Sequence, residues 1–364
     1  MLKPASHDSN HRFPRRTFLV ALLFALLLTP LASPAAADSP DGETLSSVVE
    51  ALASAVEEGY VFPEVGATMA MKVRQQLAAG SYGGLDWKGL AEALQRDLRE
   101  VQDDRHLSVS SGDEPYPMEA QEPTPEQIQQ WRDRQVRRNF GFEKVERLAG
   151  NVGLLELRGF ARPEDAGEIA HAAMTFLGQS DALIIDLRHN GGGAPAMVQL
   201  LSSYLFDAQP VHLNSLYWRP TDTTQQWWTL AWVPGPRRPE VPVWVLTSQR
   251  TFSAAEEFSY NLRQLERATL VGETTGGGAH PGGTQVLHPR LAVWLPTGRA
   301  INPITEDNWE GRGVEPHVVV AAEAALDTAY RQALSQLLES PRDERHRQEL
   351  EEVWGRLEGE KEAE

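Results

Sequence analysis

The alternation of apolar and polar positions divides the chain into helices followed by alternating strands and helices. Leu45, Val48, Val49, Leu52 and Val56 recur at helical spacing, and so do Val65, Met69, Val73 and Leu77. Tyr60-Val-Phe-Pro63 breaks the chain between these two stripes. Gly80 to Gly84 forms a loop, and Asp86 is placed to cap a third helix with Leu90, Leu94, Leu98 and Val101 facing inward. Asp103-Asp-Arg-His106 leads into a strand-like run at 107–110, and the Pro/Glu-rich stretch 113–125 leads into a charged helix near 125–138.

From Phe140 the period changes. Val152–Leu157 and Ala182–Leu187 read as strands, with helices predicted at Pro163–Leu177 and Pro195–Leu205. Val211–Trp218 and Gln226–Val233 read as a Trp-rich strand pair. Val243-Trp-Val-Leu-Thr247 is short, apolar and β-branched, so it predicts a buried strand, with Pro242 at its entrance and Ala268–Val271 as a further strand. Strands alternating with helices predict an α/β class with a mainly parallel core. The predicted layout is an N-terminal helical domain over 38–112, a linker or lid over 113–139, a core over 140–325 and a charged helical tail over 326–364.

Composition narrows the function classes. The 364 residues are 41% hydrophobic with a net charge of −17 and no basic cluster, which argues against a nucleic-acid partner. With no cysteine, disulfides, thiolate metal sites and a cysteine nucleophile are excluded. Residues 1–37 have the layout of a signal peptide: basic Lys3, Arg12, Arg15 and Arg16, an apolar run Phe18–Leu28, and Ala35-Ala-Ala37 as a cleavage site. Arg15-Arg-Thr-Phe-Leu19 also resembles a twin-arginine signal. A periplasmic or secreted protein is expected, with no membrane association once the signal is removed.

Candidate chemistry gathers at a few stretches. Ser253 follows the strand 243–247 and opens a helix, where N–H groups and the helix dipole favour developing negative charge. Ser253-Ala-Ala-Glu256 is also a capping box, and from its own residues it can be a nucleophile or a cap. Asp186-Leu-Arg-His-Asn-Gly-Gly-Gly193 sits at the C-terminal end of a strand, the edge where α/β sheets bind ligands, and its glycines let a backbone approach a ligand. His106 follows two aspartates, His280 lies on the glycine-rich loop 276–280, and Glu310 lies in the irregular loop 308–316.

In order along residues 45–320, Tyr60-Val-Phe-Pro63, Asp104-Arg-His-Leu107, Asn139-Phe-Gly-Phe142, Asp186-Leu-Arg-His-Asn-Gly-Gly192, Thr251-Phe-Ser-Ala-Ala-Glu256, the run 271–281 and the run 308–316 resemble one family. It is the C-terminal-processing (tail-specific) and tricorn core proteases, and the chain is most similar to the interphotoreceptor retinoid-binding protein branch. The resemblance implies a crotonase-like β/α catalytic core with a small N-terminal helical domain, and a serine peptidase acting on peptides or proteins without metal or organic cofactor. It places Ser253 as nucleophile, Gly191 or Gly192 with Ala254 as oxyanion hole, His106 as base and Glu310 as the group that orients it. Gly278 stands where the processing proteases carry a lysine, so a Ser–Lys dyad is unavailable, and Arg105 stands where the tricorn pattern has a serine. No PDZ segment is interposed. His280, Trp218 and Trp228 are expected to contact substrate. The alternative implied by the retinoid-binding relatives is a non-catalytic module for an apolar ligand, whose cleft Trp218, Trp227, Trp228 and Trp232 would line unless they simply pack a core.

Overall fold

The computed structural model describes residues 39–118 and 124–363, so the predicted signal peptide lies outside the described residues. Asp41 caps α1 (Gly42–Gly59) through Thr44 N (2.8 Å), and Asp86 caps α3 (Trp87–Val101) through Gly89 N (2.7 Å). Between them α2 (Pro63–Ala78) begins on Pro63, where a missing N–H costs nothing. The predicted apolar stripes are buried, Val49, Leu52 and Val56 in α1 and Leu90, Leu94 and Leu98 in α3. They do not form a closed core. The same cluster takes Leu291, Val293 and Leu295 from a strand nearly 200 residues further on. That strand pairs antiparallel with β1 (Ser108–Ser111), Ser108 opposite Trp294. The helical region therefore shares its core with the C-terminal half of the chain, which brings His106 to the seam between them.

After β1 comes α4 (Pro125–Arg137), the charged helix predicted from the sequence, which has a Thr124 capping box and buries no residue. Then β2 (Phe142–Leu148), β3 (Val152–Leu157), α5 (Pro163–Phe176), β4 (Ala182–Asp186) and α6 (Pro195–Ser203) follow. An antiparallel pair comes next, β5 (His212–Trp218) and β6 (Thr223–Trp228). The second Trp-rich strand was expected to run on to Val233. Instead Trp228 is its last ladder residue, and the chain turns away towards Pro234-Gly-Pro236, where proline cannot donate to a ladder. The chain continues as β7 (Val243–Thr247), α7 (Ala254–Gln264), β8 (Thr269–Gly272), β9 (Gly282–His288), β10 (Leu291–Pro296), β11 (Gly298–Ile301), β12 (Val318–Val319), α8 (Ala325–Glu339) and α9 (Glu344–Ala363).

Six strands form the central sheet in the order β12-β8-β7-β4-β3-β2, all parallel except the edge strand β2. Alternate residues face opposite layers, as the period of a strand requires. Leu183, Ile185, Val243, Val245 and Leu270 pack with α5, α6 and α7, whereas Ala182, Ile184, Trp244, Leu246 and Val271 pack with α8 and α9. The stretch read as a charged tail thus supplies the cover for one face of the sheet, through Ala329, Ala333, Leu334, Leu350 and Val353. This is the mixed α/β architecture expected, with helices at its N-terminal end. Among the described residues no helix is long and apolar enough to cross a membrane.

Candidate active site

β7 ends at Thr247, and six residues later Ser253 opens α7. Its backbone stands at φ +55°, ψ −120°, a conformation that a residue with a Cβ adopts only under constraint. The constraint is visible. Thr251 Oγ1 donates to Leu187 O (2.8 Å) and accepts from Ser248 N (2.9 Å), and Phe252 N donates to Asn190 O (3.0 Å). These bonds fasten the turn to the loop after β4. Glu256, fully buried one turn into α7, accepts from Ser253 N (2.8 Å). The same carboxyl takes Thr275 Oγ1 (2.5 Å), Gly277 N (2.6 Å) and Gly278 N (2.8 Å). One side chain therefore ties Ser253 to the glycine-rich loop opposite. Burial pushes Glu256 up to about 7, against these donors, which hold it down.

Asn190, also fully buried, shapes the loop after β4. Its Nδ2 donates to Leu157 O (2.9 Å), and its Oδ1 accepts from Gly192 N (2.9 Å). Gly192 has φ +107°, and a Cβ there would lie 2.8 Å from Ser253 Cβ and 3.1 Å from Ala254 N. Only glycine lets the two loops close to this distance. The oxyanion role expected of Gly192 meets an obstacle, because its N–H is already spent on Asn190. Gly191 is exposed and outside the cavity that holds Ser253, whereas Gly193 lines that cavity. Ala254, the first residue of α7, carries one of the N–H groups that a helix N-terminus leaves unsatisfied.

His106 lines the same cavity as Ser253, with its ring 4.7 Å from that of Phe252. Its Nδ1 is buried without a hydrogen-bond partner. Burial lowers the imidazole to about 4; Asp104 pulls it back up and His280 pushes it further down. Glu310 does not hold this ring, contrary to expectation. Its oxygens accept from Arg105 N (2.9 Å) and Ala279 N (2.5 Å), so it fixes the backbone on either side of the imidazole. Burial and the nearby Asp104 raise the Glu310 carboxyl. Asp104, fully buried, accepts from His106 N (3.0 Å), Leu107 N (3.3 Å) and Tyr60 Oη (2.9 Å). Burial alone would raise Asp104, but the bonds from His280, Tyr60 and His106 N carry it below its ordinary value.

His280 is not where a substrate would touch it. It is 3% exposed, Nδ1 lies 2.7 Å from Asp104 Oδ2 and 3.5 Å from Glu310 Oε2, and its ring meets Phe62 edge-on. The ligand atoms of Asp104, His280 and Glu310 lie within 4.8 Å of one another, close enough for an ion. The His280–Asp104 bond already spans that space, so the three form a buried cluster of two carboxyls and an imidazole that joins the helical region to the core. Trp218 lines the Ser253 cavity. Trp228 does not; it is 40% exposed and stacks on His212 at 4.4 Å. Trp232 is 75% exposed, so the four tryptophans do not converge on one apolar cleft.

A Cβ on Gly278 would collide with the Phe252 ring and lie 2.7 Å from His106 Cε1. The space that a side chain at 278 would need is filled first by the Phe252 ring and then by the histidine. Asp104, Gly193, Glu256 and Phe252 were not singled out from the sequence, although Glu256 was visible as the acid of the capping box and Asp104 as the second of two aspartates. The two aspartates differ only in burial, Asp103 being exposed beside Arg105 (3.2 Å).

Residues 151–320 match the family model "Peptidase family S41", and residues 43–143 match "N-terminal domain of Peptidase_S41 in eukaryotic IRBP". Three solved structures share the fold. A chain assigned as a peptidase from Parabacteroides merdae is 19% identical (TM-score 0.58), covering 79% of this chain and 96% of its own. A lipoprotein from Streptococcus agalactiae is 15% identical (0.53; 81% and 97%). A chain assigned to the S41 proteases from Bacteroides fragilis is 16% identical (0.52; 85% and 97%). With both family models matching in sequence order, one over the helical region and the other over the sheet that carries Ser253, the chain belongs to peptidase family S41.

Proposed function

We propose that the protein is a serine peptidase with Ser253 as nucleophile and His106 as general base. The observation that carries this reading is the strained Ser253 backbone at the N-terminus of α7, facing a cavity that His106 also lines. Ser253 Oγ attacks the carbonyl carbon of the scissile peptide as its proton passes to His106. The oxyanion of the tetrahedral intermediate rests on the N–H groups of Gly193 and Ala254, each worth about 2.7–4 kcal/mol in comparable sites. His106 returns the proton to the leaving amine as the C–N bond breaks. Water, deprotonated by the same imidazole, then releases the acyl group as a carboxylate. Glu310 and Asp104 are positioning residues, because they hold the peptide units around His106 rather than its ring.

A fluorophosphonate tests the assignment. Incubation with the folded protein should phosphonylate Ser253 alone, read by mass spectrometry of the peptide that contains it. Absence of labelling, or labelling of another serine, would remove the nucleophile.

The basic, apolar and small-residue segments of 1–37 support export to the periplasm or cell exterior. N-terminal sequencing of protein from that compartment should begin at Asp38; a sequence beginning at Met1 would contradict cleavage.

A further inference from the structure

The cavity beside Ser253 has a volume of about 150 Å³, the room that one benzene-sized group occupies. Leu216, Trp218, Ala300 and Trp309 give it apolar walls. One lining residue differs in kind. Glu257, on the first turn of α7, is 4% exposed and forms part of the wall. A carboxyl in such a place is costly unless something pairs with it. No lysine or arginine lines the cavity. Burial pushes Glu257 up to about 7, and Asn214 is the group that pulls it down.

Asn214 stands beside this carboxyl. It is fully buried, it is the hydrogen-bond donor that draws the Glu257 carboxyl down, and its amide oxygen has no partner among the described residues. Residues two apart on a strand share a face, so Asn214 continues inward the row that Leu216 and Trp218 begin on β5. Buried polar atoms in folded proteins nearly always find partners, and those that do not need an explanation. Here an acid in the cavity wall is backed by an amide oxygen that has no partner among the described residues.

We propose that this cavity receives the substrate side chain on the acyl side of the scissile bond and that it takes a basic one, lysine foremost. The proposal rests on Ser253 being the nucleophile. The apolar stem lies along Leu216 and Trp218, and the ammonium group reaches Glu257 and Asn214. Lysine suits the geometry because its stem buries like a hydrocarbon, while its compact head brings three donors to a carboxylate and an amide oxygen. The ion pair also supplies the cation that the buried carboxyl lacks.

The test compares kcat/KM for peptide pairs that differ only in lysine or norleucine at that position, since norleucine keeps the stem and removes the charge. Above pH 7, where Glu257 is ionised, lysine should be favoured at least about 30-fold, the lower end of what losing one partner of a buried charge pair does. Its folded value lies near 7, so the preference should shrink as pH falls through 7 and the carboxyl becomes neutral. Glu257→Gln should lower the lysine-to-norleucine ratio by about 30-fold or more. Should that variant fail to fold, the ratio of the parent protein and its pH dependence decide the matter. Norleucine equal to or better than lysine in the parent protein overturns the proposal. A small fluorophosphonate with no side chain for the pocket separates the two readings. Labelling of Ser253 together with a norleucine preference removes the basic pocket only, whereas failure to label removes the nucleophile as well.

Discussion

Ser253→Ala should reduce turnover of a cleaved peptide by a factor on the order of 10⁶, the loss seen when the serine of a serine protease is removed alone. The residue has no substitute: no cysteine exists in the chain, and glycine at 278 cannot bring in a lysine. The fold should tolerate the change. Glu256 holds Ser253 through its backbone N–H, which alanine retains. The positive φ strains alanine as it strains serine, so stability should change by about 1 kcal/mol or less. Hydrolysis and a melting curve on the same preparation check both halves. A variant that cleaves as the parent does would end the assignment. A variant that melts far lower would make Ser253 a structural cap first.

Part of this candidate site was legible in the sequence, and particular residues show why the rest was not. Ser253 could be placed because a β-branched run, a turn and a capping box are local patterns. The stripes of α1 to α3 are local as well. β9 carries no such signal: its residues are half-buried or exposed, and it exists through pairing with β10. Gly192 and Gly193 are identical as letters; they are told apart by one hydrogen bond, which Gly192 N donates to Asn190 Oδ1. Loop 276–280 suggested flexibility through its three glycines. In the fold it is held by Glu256 from α7, by Trp309 Nε1 on Gly278 O (2.7 Å) and by Glu310 on Ala279 N. All three anchors come from at least 20 residues away. The resemblance brought His106 and Glu310 together, but neither Asp104 nor the way their bonds are shared, because two oxygens and several N–H donors can be matched in many ways until the backbone is placed.

The assignment of roles between the two histidines follows from that sharing. His106→Ala should lower kcat by about 10²–10⁴-fold, the range of a lost general base. A base must be neutral to act, and burial lowers His106 to about 4. It is therefore unprotonated across the neutral range, and the acid limb of kcat/KM should fall below the ordinary histidine value near 6.5. The same shift bears on stability. The folded state resists protonation that the unfolded chain accepts below about 6.5, so this group favours folding above that pH, and its contribution is lost progressively as pH falls towards 4. Glu310→Gln should cost less, about tenfold, because the amide keeps one acceptor for the N–H groups of Arg105 and Ala279 and turns a donor on the other. His280→Ala removes a bond to Asp104 and touches neither Ser253 nor the cavity wall. Its effect should appear in the melting temperature, with kcat reduced less than in His106→Ala. The three variants assayed on one peptide give the ranking. If His280→Ala loses turnover while His106→Ala keeps it, the base is the buried histidine, and Asp104 orients the ring rather than the backbone beside it.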